Sequence, residues 1–389
     1  MDHVLLAVLV MMATTALSAA LVPPSRVLAR RFGVIDAPGH RKVHAQPTPR
    51  MGGIAVFVAF SVVVLAGSLA APSLLHLGGV QSVFGSSLAL LQEVYRVKRE
   101  LLGLLTGAAL VFAVGLADDV LGKRFPVGVK FAGQIVAAVI VVAAGVRISF
   151  LPYDALDVAV TLLWLVGMTN AFNLLDNMDG LAAGVAFVAC GVFLINAWAL
   201  GEFFISLMLV AFMGSLLGFL LYNFHPATVF LGDCGSLFIG FVMGSLTLLE
   251  RYISHASSTL FPILMPVLVL ALPLLDTATV MYIRVRERRP IYIGDSRHLS
   301  HRLVSLGFSQ RAAVLFLYLV TFALGLGAAS LSDATMIQTV LILVQFVCFI
   351  AALLILLFFE RRKRPRGPGS AERPRSKSER GFTPRERTT

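Results

Sequence analysis

The chain of 389 residues is 58% hydrophobic and 14% charged, with a formal net charge of +11. Soluble domains carry a charged fraction of about one quarter, so this composition excludes an ordinary water-soluble globule and makes the bilayer the solvent. The basic residues flank apolar runs instead of forming one stripe, which argues for the lipid bilayer as partner and against nucleic acid.

The first apolar run, near 3 to 22, has no basic leader and passes into Pro23, Pro24 and a basic loop, so it reads as an uncleaved helix. That loop carries Arg26, Arg30, Arg31, Arg41, Lys42 and Arg50. A second run covers 51 to 71. The third, 100 to 117, ends on Asp118 and Asp119, and the fourth, 126 to 146, opens with Lys130 and Gln134 about one turn apart. The fifth, 156 to 171, is short and leads into Asn170, Asn173, Asp176 and Asp179. Runs at 181 to 199 and 203 to 222 precede a Pro-marked turn from Asn223 to Ser236, which holds Asp233 between glycines. The eighth, 236 to 250, is broken around Gly240, and the ninth, 259 to 283, leads into a basic loop that contains Asp295, Arg297, His298, His301 and Arg302. Runs at 311 to 331 and 335 to 358 complete the series.

Because a helix satisfies its own backbone in lipid, the expected fold is all-α, a polytopic bundle of about eleven spans, with half-spans as the alternative at the fifth and eighth runs. Residues 1–360 form one unit, and 361–389 form a basic tail rich in Pro, Ser and Arg, too poor in apolar surface to fold. Lys and Arg collect after the first, ninth and last runs, which predicts an external N-terminus and a cytoplasmic C-terminus. Cys190, Cys234 and Cys348 are scattered and read as packing residues, neither a disulfide framework nor a thiolate metal site.

Each polar cluster follows an odd-numbered run, so parity puts them all on the cytoplasmic face. Adjacent carboxylates such as Asp118 and Asp119 repel and call for a cation, and oxygen ligands suit Mg²⁺ or Mn²⁺. A pair solvated at the interface beside Lys123 and Arg124 explains them equally well. Asn170, Asn173, Asp176 and Asp179, three apart, line one side of a helix end, where amides and carboxylates can meet a polar ligand. Helix capping accounts for Asp179 alone and leaves the other three unexplained. Asp233 either caps the eighth helix or supplies a third carboxylate to a metal. His298, His301 and Arg302 in one short loop suit phosphate oxygens.

Taken together these residues resemble the polyprenyl-phosphate N-acetylhexosamine-1-phosphate transferases, which start O-antigen, teichoic acid and peptidoglycan lipid intermediates. The resemblance runs over roughly residues 33 to 308, in order: Asp36-Ala-Pro38, Arg41-Lys42-Val-His44, Pro49-Arg-Met-Gly52-Gly53, Asp118-Asp119 with Lys130 and Gln134, the Asn170 to Gly184 run, Pro226-Ala227, Gly232-Asp233-Cys-Gly235-Ser236 and the histidine loop. Two positions depart from the family pattern: Asp176-Asn177-Met178-Asp179-Gly180 stands for Asp-Gly-Leu-Asp-Gly, and Ser300-His301-Arg302 for His-His-Arg.

The resemblance implies attack of undecaprenyl phosphate on a UDP-sugar, with release of UMP, at the cytoplasmic face of a bacterial inner membrane. It implies Asp118, Asp119 and Lys130 as catalytic residues, and Asp233, Asp119 and Asp176 around Mg²⁺. It further implies Asn170, Asn173, Asp176, Asp179, His298, His301, Arg302, Arg41, Lys42 and His44 at the substrates, and it leaves room for a homodimer. The three-histidine run of the muramyl-pentapeptide enzymes is absent, which favours an N-acetylglucosamine donor over that alternative. An ion-coupled secondary transporter is the rival from another class, but such proteins place acidic groups near the bilayer midplane and show paired repeats.

Overall fold

The computed structural model describes residues 2–36, 47–74, 97–253, 260–288 and 297–363. Nearly all of these are helical, as a chain that must satisfy its backbone within lipid requires. α1 (Asp2–Arg31) runs straight through Pro23 and Pro24 and ends on Arg30 and Arg31. The prolines therefore do not stop it, a tolerance common in membrane helices. A two-residue antiparallel pair, β1 (Ile35–Asp36) with β2 (Thr48–Pro49), leads into α2 (Gly53–Leu74). α3 (Lys98–Leu121), α4 (Val127–Ala143), α5 (Asp154–Leu175), α6 (Leu181–Ala199), α7 (Phe203–Asn223) and α8 (Gly232–Leu249) follow. Then come α9 (Met265–Val269), α10 (Ala271–Arg286), the short α11 (Leu299–Ser305), α12 (Gln310–Ala329) and α13 (Met336–Lys363).

Among the described residues, 9 helices are long and apolar enough to cross a membrane, and 10 if the α9 and α10 pair counts as one span. The eleven expected runs are all helical, yet two are not simple spans. The fourth, α4, has 17 residues, about 25 Å of helix against about 30 Å of hydrocarbon. The ninth is broken by a 67° bend between α9 and α10. Pro273 lacks an N–H and crowds the carbonyl four residues back, at Val269, where α9 ends. Neither expected half-span appears, since α5 and α8 are both continuous. Gly240 leaves α8 unbroken and lets it close on α5: an added Cβ there would stand 2.5 Å from the Met168 carbonyl oxygen.

α8 is the central element. In α8 83% of the residues are buried, against 11% in α1 and in Met336–Ile355 of α13, which lie at the lipid-facing edge. It packs on α3, α5 and α2, and small residues make these contacts close. A Cβ on Gly53 of α2 would lie 2.2 Å from Gly235 Cα. Above this contact Phe57, Phe60, Phe112, Phe212 and Phe238 interlock ring to ring. At its other end the chain before α2 is stitched to the turn before α8: Phe230 N–H donates to Pro49 O (2.8 Å), and Gly52 and Gly53 donate to Phe230 O (2.9 Å) and Leu231 O (2.8 Å).

Candidate active site

The packing brings five chain ends to one place: the close of α3, the opening of α4, the close of α5, the opening of α8 and the residue after β2. Lys130, one turn into α4, puts its ammonium 2.8 Å from Asp118 Oδ2 and 2.9 Å from Asp233 Oδ2. Asp233 Oδ1 accepts a hydrogen bond from Asn173 Nδ2 at 3.0 Å, and the same amide reaches Ser236 Oγ at 2.8 Å. Asn170, one turn earlier on α5, donates to Gln134 Oε1 at 2.6 Å, which ties α5 to α4. The three-residue spacing on α5 therefore does place a polar strip on one side, and that strip faces α4 and α8.

Asp119 is turned the other way. Its side chain is 1% exposed and its oxygens accept the backbone N–H groups of Asp233 and Cys234, both at 2.9 Å. Free N–H groups at a helix start attract a carboxylate, so Asp119 caps α8 from a neighbouring helix. The cap requires Gly232, which has φ +77° and whose added Cβ would lie 2.7 Å from Asp119 Oδ2. The start of α8 at Gly232, a turn earlier than the apolar run suggests, follows from this contact.

Arg50 lies beside these carboxylates, 3.9 Å from Asp119 Oδ1 and from Asp233 Oδ1, and 4.0 Å from Asp36 Oδ1. Burial works against its charge, but Asp119, Asp233, Asp36 and Asp176 outweigh it and raise its pKa. Asp176, just past the end of α5, is pushed up to about 7 by desolvation; Arg50 opposes this, while Asp233, Asp119 and Asp179 add to it.

A second set of contacts holds the loops around this core. Asp179 Oδ2 stands 2.7 Å from His225 Nδ1 and accepts Ala227 N–H at 3.1 Å. Asn223 accepts Gly180 N–H at 3.0 Å and donates to Val229 O at 2.9 Å. Ser300 Oγ donates to Asn177 Oδ1, which seats α11 on the turn between α5 and α6. His298 is nearly sealed and pairs with Asp276, while Arg302 is buried and its Nε donates to Arg297 O at 2.9 Å. His301 is part-exposed, and burial followed by the neighbouring His298 lowers its pKa.

Of the residues singled out by sequence, Asp118, Lys130, Asn173 and Asp233 are joined directly, Asp119 supports them from behind, and Asp176 shares Arg50 with them. Asn170 is engaged with Gln134, Asp179 with the His225 turn, His298 with Asp276 of α10 and Arg302 with Arg297. Arg41, Lys42, His44 and Asp295 lie outside the described residues. Arg50, Asn177, His225 and Asp276 were not singled out. Arg50 was hidden in a loop rich in basic residues, whereas Asp276, a carboxylate inside an apolar run, carried a signal of its own.

Among the described residues no three His, Cys, Asp or Glu side chains form a metal-holding group. Mg²⁺ keeps several waters and takes one or two carboxylates together with substrate phosphates, so Asp233 with Asp118 or Asp176 fits it as a donor set. Asp119, with both oxygens given to backbone N–H groups, fits less well.

Comparison with known proteins bears on this arrangement. The sequence model described as glycosyl transferase family 4 matches residues 101–250, the stretch from α3 to the end of α8. The chain is 33% identical over 338 residues to a Bacillus subtilis protein named "Probable undecaprenyl-phosphate N-acetylglucosaminyl 1-phosphate transferase", covering 85% of this chain and 86% of that one. It is 33% identical over 383 residues to the decaprenyl-phosphate N-acetylglucosaminephosphotransferase of Mycolicibacterium smegmatis, covering 90% and 86%. A phospho-N-acetylmuramoyl-pentapeptide-transferase from Shouchella clausii is 35% identical, but over 44% of this chain and 58% of its own.

Proposed function

The chain belongs to glycosyl transferase family 4, and from that premise we infer that it is a membrane phosphotransferase carrying N-acetylglucosamine 1-phosphate from its UDP-sugar to a polyprenyl phosphate such as undecaprenyl phosphate. The geometric support is the ammonium of Lys130 held between Asp118 and Asp233, with Arg50 alongside. The reaction joins two anions. A lipid phosphate oxygen bonds to the phosphorus that bears the sugar, the bond from that phosphorus to the bridging oxygen breaks, and UMP leaves with its electrons. Lys130 and Arg50 offer positive charge where the two anions would otherwise repel.

A phosphate monoester with a second pKa of about 6 is largely dianionic near neutrality, so Asp118 has little proton to remove. Its role here is to hold Lys130. Asn173 orients Asp233 through one oxygen while Lys130 takes the other. Asp233, with Asp118 or Asp176, would hold Mg²⁺ or Mn²⁺, and such an ion would supply charge neutralisation on the donor diphosphate. Positive residues beside the first and ninth runs support a cytoplasmic site in a bacterial inner membrane.

The test is UMP release by purified protein given undecaprenyl phosphate and a panel of UDP-sugars, with and without chelator. Turnover with UDP-N-acetylglucosamine, lost in chelator and restored by Mg²⁺, is expected. Preference for the muramyl-pentapeptide donor would overturn the donor assignment, and no UMP from any donor would overturn the reaction.

A further inference from the structure

The histidine loop is held by a carboxylate outside the residues given a role so far. Asp276, 1% exposed in α10, approaches His298 Nδ1 with Oδ2 at 2.7 Å and accepts Leu299 N–H on Oδ1 at 2.7 Å. His298 itself is 3% exposed. A carboxylate in an apolar helix of a membrane protein is expensive unless paired, and both partners of this one lie in the loop, neither in its own helix. Ser300, two residues on, ties the same loop to Asn177, next to Asp176 and Asp179. Asp276 is therefore linked to the turn beside the site by these hydrogen bonds and the short backbone steps between them.

An ionised carboxylate only accepts, so the proton between the pair sits on His298 Nδ1. The other ring nitrogen, Nε2, is then an acceptor in the neutral ring. Two contacts to one carboxylate also stop the ring from turning. We propose that Asp276 is a positioning residue for the transfer reaction: it sets the ring orientation and tautomer of His298, so that Nε2 is presented to the sugar nucleotide. This rests on reading the chain as a UDP-sugar phosphotransferase.

Asp276→Asn separates positioning from mere support. The amide oxygen still accepts Leu299 N–H, but the amide N–H₂ now faces Nδ1, which must offer its lone pair and leave the proton on Nε2. The fold is kept and the tautomer is inverted. ¹⁵N spectra of histidine-labelled protein in nanodiscs, with His298→Gln to assign the signal, read the tautomer directly. The expected result is an Nδ1-protonated His298 in the parent and an Nε2-protonated one in Asp276→Asn. For the variant, kcat/KM for the UDP-sugar should fall on the order of tenfold, with KM for the lipid phosphate unchanged and a melting temperature within about 2 °C of the parent. Asp276→Ala, which loses both contacts, should melt lower. A parent-like tautomer or parent-like kcat/KM in Asp276→Asn overturns the proposal, as does a loss of turnover that merely follows a loss of melting temperature. A parent inactive with every UDP-sugar would sink the reaction assigned above, and the tautomer comparison would still judge Asp276.

Discussion

At Asp233 the two carboxylate oxygens have different neighbours, Asn173 on one and Lys130 on the other, whereas Asp118 meets Lys130 and lies against Asp233 itself. The two acids should therefore fail differently. Asp233→Asn replaces an anionic oxygen with a neutral amide and should raise the Mg²⁺ concentration needed for half-maximal UMP release by on the order of tenfold. Asp118→Asn loosens Lys130 and should instead lower kcat with little change in that concentration. Equal Mg²⁺ dependence in Asp233→Asn and the parent, at matched folding, would put the ion on another carboxylate. Asp176 makes a prediction about pH. Its folded-state pKa of about 7 lies above the ordinary carboxylate value of about 4, so the folded protein holds a proton there that the unfolded chain has released. That contribution is fully present below about pH 4 and is lost as pH rises through about 7. In chelator, Asp176→Asn should thus raise the melting temperature at pH 8 by more than at pH 5, and an equal rise at both would contradict it.

Among the elements, α8 shows how a helix end becomes a functional part. Asp119→Ala removes two charge-assisted bonds from its first turn and should cost about 2 kcal/mol in thermal or denaturant unfolding. Asp118→Asn, which touches no backbone group, should cost less. A stability order reversed between these variants would mean that Asp119 does not cap the helix. The same helix marks the limit of what the sequence makes legible. Apolar length alone located all eleven helical runs, and the polar residues at their ends include Asp118, Lys130, Asn173 and Asp233, which the fold brings together. The extra turn of α8 was not legible, because its cap lies 114 residues upstream on α3. Pro273 marks the bend before α10, but a proline inside a membrane helix is compatible with an unbroken helix too, as Pro23 and Pro24 show. Asp179 and His298 read as ligand groups for a similar reason: their partners, His225 and Asp276, come from other elements, and no spacing rule connects them.

For the whole molecule, the gathering of five chain ends at one place demands that all of them reach the same side of the membrane. A cysteine at Ser305, which is exposed, or at Ser376 in the tail should react with an impermeant reagent only from the cytosol. Ser300 is buried and unsuited to this, and the exposed native Cys348 must first be replaced. Labelling at Ser305 from outside intact cells would invert the topology. The capping of α8 by Asp119 also sets a clock. A ribosome adding about 5 to 20 residues per second delivers Asp119 to the membrane roughly 6 to 23 s before the backbone that satisfies it. Until then Arg50, made earlier, is a cation already available beside Asp119, and the two backbone bonds that seal it come with the opening of α8. The order of synthesis therefore leaves the seal on Asp119 until the opening of α8 has been made, and a chain cut short before Gly232 lacks the two N–H groups that complete it.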